Sequence, residues 1–239
     1  MVDDLLVTRP IAEASLRRLP LYHRYLETLK AQGAKYVSCP EIGLALKADP
    51  TQVRKDLEAA GITGRPKVGY ELDVLLAGIT DFLGWNNTNE AFLVGAGHLG
   101  EALLGYPQFS RCGLNIVASF ENDPAKIGTR LRGKEVLAIE TLPELARRMH
   151  VHIGIITVPA TAAQKIADLM VEGGIRAIWN FAPVQLVLPQ DVILHNEDLY
   201  CSLASLSRKL ADLLRREAQV KHLKEQTAVS AAYLEGGFF

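Results

Sequence analysis

From Leu21 to about Gln32, the apolar residues Leu21, Tyr25, Leu26 and Leu29 recur at helical spacing, and Gly33 closes the run. The stretch SCPEIGLAL follows. Ser38 stands where an N-cap belongs, Glu41 three residues on completes a capping box, and Pro40 falls early in the helix. In KADPTQVRKDLEAAGI, Asp49 is placed to cap, Pro50 to open the helix, and Val53 and Leu57 to point inward at i, i+4. Helix, short helix, tight turn and helix make a helix-turn-helix pattern. TGRPKVGYELDVL then sets Arg65 and Lys67 about a proline, and Val68 to Tyr70 are predicted as a returning strand. A basic hairpin in that position is the wing of a winged helix. LDVLLAGITDFLG predicts a connecting helix, and the polar WNNTNE marks a boundary near residues 78–89.

From Ala91 the period changes. Ala91 to Val94, NIVASF, EVLAI, IGIITV and IRAIWNF read as buried strands, and residues 98–106, LPELARR and TAAQKIADLMVEGG as the helices between them. Strands alternating with helices imply a parallel sheet with crossover connections. The predicted fold class is α/β: an N-terminal winged helix-turn-helix domain, a Rossmann-like parallel-sheet domain and a C-terminal helix. The expected limits are 1–80, 81–197 and 198–239. EDLYCSLASLSRKLADLLRREAQVKHLKEQ reads as one or two long helices, and the closing SAAYLEGGFF as a mobile end, with a dimer contact as the alternative.

Composition narrows the classes. A hydrophobic share of 49% over 239 residues supports real cores. No apolar run approaches the ~18 residues of a membrane span. MVDDLLVTRP lacks the apolar core of a signal peptide, so a cytoplasmic location is expected. Cys39, Cys112 and Cys201 lie far apart, which supports neither a disulfide framework nor a zinc site. They read as small buried hydrophobes, with redox-sensitive thiols as the alternative. The net charge of −1 hides an asymmetry, because residues 8–70 carry 11 Lys/Arg against 6 Asp/Glu. A basic N-terminal segment on an acidic body suits a polyanionic partner at one end.

Two stretches carry candidate chemistry. Thr51, Gln52, Arg54 and Lys55 are predicted on the exposed face at the start of the third helix. In a helix-turn-helix these positions reach base edges, and Arg and Gln can make bidentate contacts there. The competing reading is a solvated face with a salt bridge or two. The second stretch is AFLVGAGHLGEALL. Gly95, Gly97 and Gly100 fit the glycine fingerprint of a dinucleotide pyrophosphate turn, between a strand and a helix N-terminus that favours an anion. Glu121 ends the next strand at the distance where a carboxylate meets the adenosine ribose, which favours NAD(H); Lys126 nearby weakens that preference slightly. A coenzyme-A-binding regulator and an NAD-dependent oxidoreductase remain open. Against the oxidoreductase, Tyr200 has no lysine four residues on, and few residues follow the sheet. His150 and His152 could share a strand face, but two ligands make no metal site, and His98 reads as a neighbour of the cofactor.

The motifs LPLYHRYL, DPTQVRKDL, GRPKVGY, VGAGHLGEAL, NDPAKIG, TVPA and WNFAPV, in that order and spacing, resemble those of the Rex family of bacterial redox-sensing repressors over nearly the full chain. The resemblance implies a homodimer that binds palindromic double-stranded operator DNA when NADH is scarce and releases it when NADH binds. It places Gln52, Arg54 and Lys55 on the recognition helix, with Ser38 and Thr51 beside them, and Arg65 and Lys67 on the wing. It brings Gly95, Ala96, Gly97, His98, Leu99 and Gly100 to the pyrophosphate. Glu121 and Lys126 fall near the ribose, and Thr157, Val158, Pro159, Asn180 and Phe181 near the rest of the cofactor. It implies that the helix from Asp198 swaps onto the partner subunit, with Arg24, Tyr106 and Asp198 as a switch at the domain junction. It implies no catalytic residue. Two departures stand out: Glu121 where the family often has Asp, and EAAGIT where an aromatic, glycine-rich stretch is common.

Overall fold

The computed structural model describes residues 11–66 and 68–235, with side chains to residue 220. Packing divides the chain into two compact units, Met1–Ala91 with Glu101–Ala118 and Arg132–Lys134, and Phe92–Gly100 with Ser119–Leu131 and Glu135–Phe239.

The first unit opens with α1 (Glu13–Ala31), β1 (Tyr36–Val37), α2 (Cys39–Leu46), α3 (Pro50–Ala59), β2 (Tyr70–Glu71) and α4 (Leu72–Phe82). Helix α1 starts eight residues before the expected Leu21 and carries Pro20 within it. The early turns persist because they are fastened elsewhere. Leu19 is buried in the helical core, and Ser15, Arg18 and Tyr22 all bond to Asp56 of α3. Tertiary bonds here override the local cost of a proline. The caps are as expected. Ser38 and Glu41 close a reciprocal capping box, and the Asp49 carboxylate accepts from Thr51 N at 2.8 Å and Gln52 N at 3.1 Å. Val53 and Leu57 are fully buried among Leu19, Tyr22, Leu26 and Ile42; full burial of each such side chain stabilises by roughly 1.5–3 kcal/mol.

The wing is shorter than expected. Strand β2 begins at Tyr70, not Val68, and pairs antiparallel with β1; Arg65 and Gly69 form a single bridge before it. Pro66 has no N–H for a longer ladder. Gly69 adopts φ +89°, and a Cβ there would lie 2.5 Å from Val37 O, so the chain must turn at this point.

The remaining elements are β3 (Asn89–Val94), α5 (His98–Leu104), α6 (Gln108–Arg111), β4 (Leu114–Glu121), β5 (Arg130–Leu131), β6 (Lys134–Ala138), α7 (Leu142–Met149), β7 (Ile153–Ile156), α8 (Ala160–Glu172), β8 (Ala177–Asn180), β9 (Ile193–Asn196) and α9 (Leu199–Glu235). Among the described residues the large sheet has the order β5-β6-β4-β3-β7-β8-β9, and β4–β6, β7–β8 and β8–β9 run parallel. From β3 the chain builds outward through β4, β5 and β6 on one side, then crosses back to β7 and builds through β8 and β9 on the other, so β3 and β7 flank a topological switch point, where α/β sheets bind ligands.

Two expectations are corrected. His150 and His152 share no strand face: His150 ends α7 at φ 55° and β7 starts only at Ile153. Cys39 and Cys112 are partly buried, but Cys201 is exposed on α9. The C-terminal stretch, read as one or two helices, is one helix, Leu199–Glu235. Residues 1–10, Lys67 and 236–239 lie outside the described residues.

Candidate functional site

The carboxyl ends of β3, β4 and β7 open into a cleft of about 640 Å³. Val94, Gly95, Gly97, Leu99, Glu121, Lys126, Thr157, Val158, Pro159 and Phe181 line it. Each glycine of the loop has a different reason. Gly95 turns at φ +109°, and a Cβ would meet Thr157 O at 2.7 Å. At Gly100 a Cβ would lie 2.0 Å from Gly95 O, so α5 can approach the strand only without a side chain. Gly97 is the exception: nothing lies within 4 Å of its Cβ position, and its φ is not positive. The protein's own packing does not require glycine there. Gly97 also lines the cleft, so without a side chain its backbone lies open to it.

The loop is held from below. Thr157 Oγ1 lies 3.0 Å from Val94 O and 2.9 Å from Gly95 O and donates to them, tying the end of β3 to the start of the segment after β7. Glu121 lies at the end of β4. Its Oε2 accepts from Ala96 N at 3.0 Å and stands 3.5 Å from Lys126 Nζ, while Oε1 accepts from Asn122 N at 2.9 Å. The longer side chain thus reaches back to the glycine loop. Its paired lysine is a cation already partly committed to a carboxylate.

The sequence-predicted cofactor residues do not all reach the cleft. His98 opens α5 and is exposed, and Gly100 is buried behind the loop. Asn180 is fully buried, with its polar atoms bonded within the chain. Its Nδ2 donates to Ala182 O, Val184 O and Asn196 Oδ1, and its Oδ1 accepts from Ala182 N. It shapes the turn that carries Phe181 rather than lining the cleft. Sequence reasoning missed Ile139, Ala162 and Ile166, which supply apolar wall. The i, i+4 spacing of Ala162 and Ile166 signals one face of α8, but not what that face covers.

On the first unit, Thr51, Arg54 and Lys55 are exposed on α3 and Gln52 is half-buried. Arg54 stands 3.8 Å from Glu58, and Arg65 3.9 Å from Glu71. Ser38, Arg54 and Arg65 line a second cleft of about 580 Å³ beside the wing. Gln52 Nε2 donates to Asp56 Oδ1 at 2.8 Å. Asp56 itself is 1% exposed. Burial pushes its carboxyl up, but the hydrogen bonds from Arg18, Tyr22, Ser15 and Gln52 outweigh it and hold the group at about 2. Nothing in the local pattern of α3 announced this cluster, because three of its members come from α1.

The switch candidates are placed as follows. Arg24 is exposed on α1, and Tyr106 is exposed with its ring 5.0 Å from that of Phe109. Asp198 caps α9, accepting from Tyr200 N at 2.8 Å and Cys201 N at 3.1 Å. Cys201 Sγ donates to the same carboxylate, which raises the thiol; burial raises Cys39 and Cys112. All three shifts oppose thiolate formation. Among the described residues no cluster could hold a metal ion, and no helix is long and apolar enough to cross a membrane.

A winged helix-turn-helix and a glycine-loop cleft at the switch point of a parallel sheet, carried on one chain, define a DNA-binding protein of the nucleotide-responsive class. Comparison with known proteins makes this specific. A family model described as a putative DNA-binding protein N-terminus matches residues 10–58, and one described as a CoA binding domain matches residues 86–184. The redox-sensing transcriptional repressor Rex of Bacteroides fragilis is 42% identical over 200 residues, covering 84% of this chain and 91% of its own. That of Thermoanaerobacter pseudethanolicus is 38% identical over 218 residues, covering 91% and 96%. The crystal structure of RSP with β-NAD⁺ and operator DNA aligns with a TM-score of 0.81 at 37% identity, over 87% of this chain and 96% of that one. The structure of RSP with β-NADH aligns at 0.78 and 36% identity, over 86% and 98%. The chain belongs to the Rex family of redox-sensing transcriptional repressors.

Proposed function

We propose that this protein is a homodimeric repressor that binds palindromic operator DNA and releases it when NADH fills the cleft. One observation carries the reading. The chain aligns over 87% of its length, at 37% identity, with a repressor crystallised with both a nicotinamide dinucleotide and operator DNA. The cleft supports the ligand half through Gly97, which its own fold leaves free to be larger. The exposed cations of α3 and the wing support the DNA half. Ser38, Thr51, Gln52, Arg54, Lys55, Arg65 and Lys67 are assigned to the operator. The cleft residues, with Ala96, His98 and Gly100 around the loop and Asn180 behind Phe181, are assigned to NAD(H). Residues 1–80 serve as the DNA-binding domain, 81–197 as the cofactor domain and 198–239 as the dimerisation segment, in a protein working in the cytoplasm.

Helix α9 supports the dimer. Leu199, Leu203, Leu206, Leu210 and Leu213 recur at alternating steps of four and three, and each is at least half exposed in the single chain. Such a seam suits a partner helix. Two recognition helices related by a twofold axis read half-sites an integral number of turns apart, at about 34–36 Å per turn. The switch is read as follows: NADH favours pairing of Asp198 with Arg24 near Tyr106 and draws the recognition helices out of register. A ligand does this only by binding the two states unequally.

The experiment is fluorescence anisotropy on a palindromic operator at fixed salt, titrated separately with NADH, NAD⁺ and coenzyme A. Release by NADH alone is the expected result. Release by coenzyme A would favour the reading that the family model for residues 86–184 suggests. Binding indifferent to all three, or no DNA binding, would overturn the proposal and reopen an enzymatic one.

A further inference from the structure

The Asp56 carboxylate receives five hydrogen bonds. Oδ1 accepts from Ser15 Oγ at 2.8 Å, Arg18 Nη2 at 2.7 Å and Gln52 Nε2 at 2.8 Å; Oδ2 accepts from Arg18 Nε at 2.6 Å and Tyr22 OH at 2.7 Å. Three of the donors, Ser15, Arg18 and Tyr22, belong to α1. The carboxylate therefore sits at a point set by a neighbouring helix, buried, with its orientation fixed by a bidentate guanidinium. A Gln–Asp pair at i, i+4 on an exposed helix face is worth only tenths of a kcal/mol and comes and goes. Here the acceptor does not move, so the amide it holds is held too.

An ionised carboxylate only accepts, so Gln52 must present its nitrogen to it. The O/N orientation of the carboxamide is thereby decided before DNA arrives. One N–H is spent on Asp56, which leaves Oε1 and the second N–H. That pair matches N6 and N7 of adenine in the major groove. A long side chain free in solution loses rotamer freedom on docking, whereas a side chain already held has lost it during folding.

We propose that Asp56 is a positioning residue for base reading: anchored on α1, it presents the Gln52 carboxamide edge to one adenine in each operator half-site. The proposal rests on the reading of α3 as the operator-recognition helix.

The test is a panel of operators carrying every single base-pair substitution in one half-site, bound by full-length wild type, Gln52→Ala, Asp56→Asn, the double variant and Tyr22→Phe. Gln52→Ala should erase discrimination at one A·T pair, which in the wild type amounts to roughly 5- to 150-fold. Asp56→Asn should lower discrimination at that same pair, while the slope of affinity against salt stays that of the wild type. The double variant should discriminate no worse than Gln52→Ala. Tyr22→Phe removes one bond to Asp56 but leaves Gln52 bound, so it should keep the full discrimination. A purely structural role for Asp56 would weaken binding to all operators by one common factor, and that result overturns the proposal. So does unchanged discrimination in Asp56→Asn. Failure of the wild type to bind any operator would instead overturn the repressor reading. If Asp56→Asn does not fold, side-chain ¹⁵N relaxation of Gln52 in the free wild type decides. An order parameter near the rigid-backbone value of about 0.85 supports the proposal, and one below about 0.6 refutes it.

Discussion

Alanine at Gly97 and alanine at Gly100 separate what the fold needs from what the ligand needs. At Gly100 the new Cβ would lie 2.0 Å from Gly95 O, with Leu93 Cδ2 and Thr157 Oγ1 both at 3.1 Å. The nearest obstacle is backbone, so α5 or the loop must shift. Overpacking of this kind costs about 1–3 kcal/mol, occasionally more. At Gly97 the Cβ meets nothing within 4 Å, and φ lies outside the left-handed region that favours glycine. Stability should change by no more than about 0.5 kcal/mol, with a small gain from a stiffer unfolded chain. Ligand binding should show the opposite ranking of causes. A methyl group at residue 97 stands off the pyrophosphate and weakens a charge-assisted hydrogen bond worth about 1.5–3 kcal/mol, or roughly 10- to 150-fold in Kd. Urea unfolding and NADH titration of both variants give the four numbers. The reasoning fails if Gly97→Ala binds NADH as tightly as the wild type, or if it loses as much stability as Gly100→Ala.

Other expectations follow from the same geometry. Because the Asp56 pKa is depressed from 3.8 to about 2, its contribution is complete above the unfolded value and is lost as pH falls from about 4 to 2. It amounts to roughly 2 kcal/mol, so urea midpoints of Asp56→Asn against pH should show a shallower acid limb than the wild type. Thr157→Val keeps the shape but removes the hydroxyl tether to Val94 O and Gly95 O; a loss of about 0.5–1.5 kcal/mol in urea unfolding, with weaker NADH binding, is expected. Asp198→Ala should bind NADH nearly as the wild type does but show a blunted NADH effect on operator affinity. NADH-driven release at wild-type strength in that variant would reduce Asp198 to the cap of α9.

Much of this architecture was readable from short stretches, because its causes are local. The capping box at Ser38 and Glu41, the Asp49 cap with Pro50, and the strand–glycine loop–helix of residues 91–104 depend on neighbours within a few positions. Periodicity also found five strands of the large sheet, since a buried strand is a continuous apolar run; it missed the edge strands β5 and β9, which are short and largely exposed and give no such run. What escaped was set across the chain. The start of α1 at Glu13 is stabilised by partners some forty positions away, and no helical rule applied to LRRLPL could weigh Pro20 against them. The wing is cut short where Gly69 passes Val37 O. Asn180 sits in the right motif but points into the structure, because the turn it holds needs its amide more than a ligand does. Glycines at 95, 97 and 100 look equivalent on the page. Only the packed structure shows that two serve the fold and one leaves room, because a Cβ meets atoms brought near by the tertiary structure and not by the sequence.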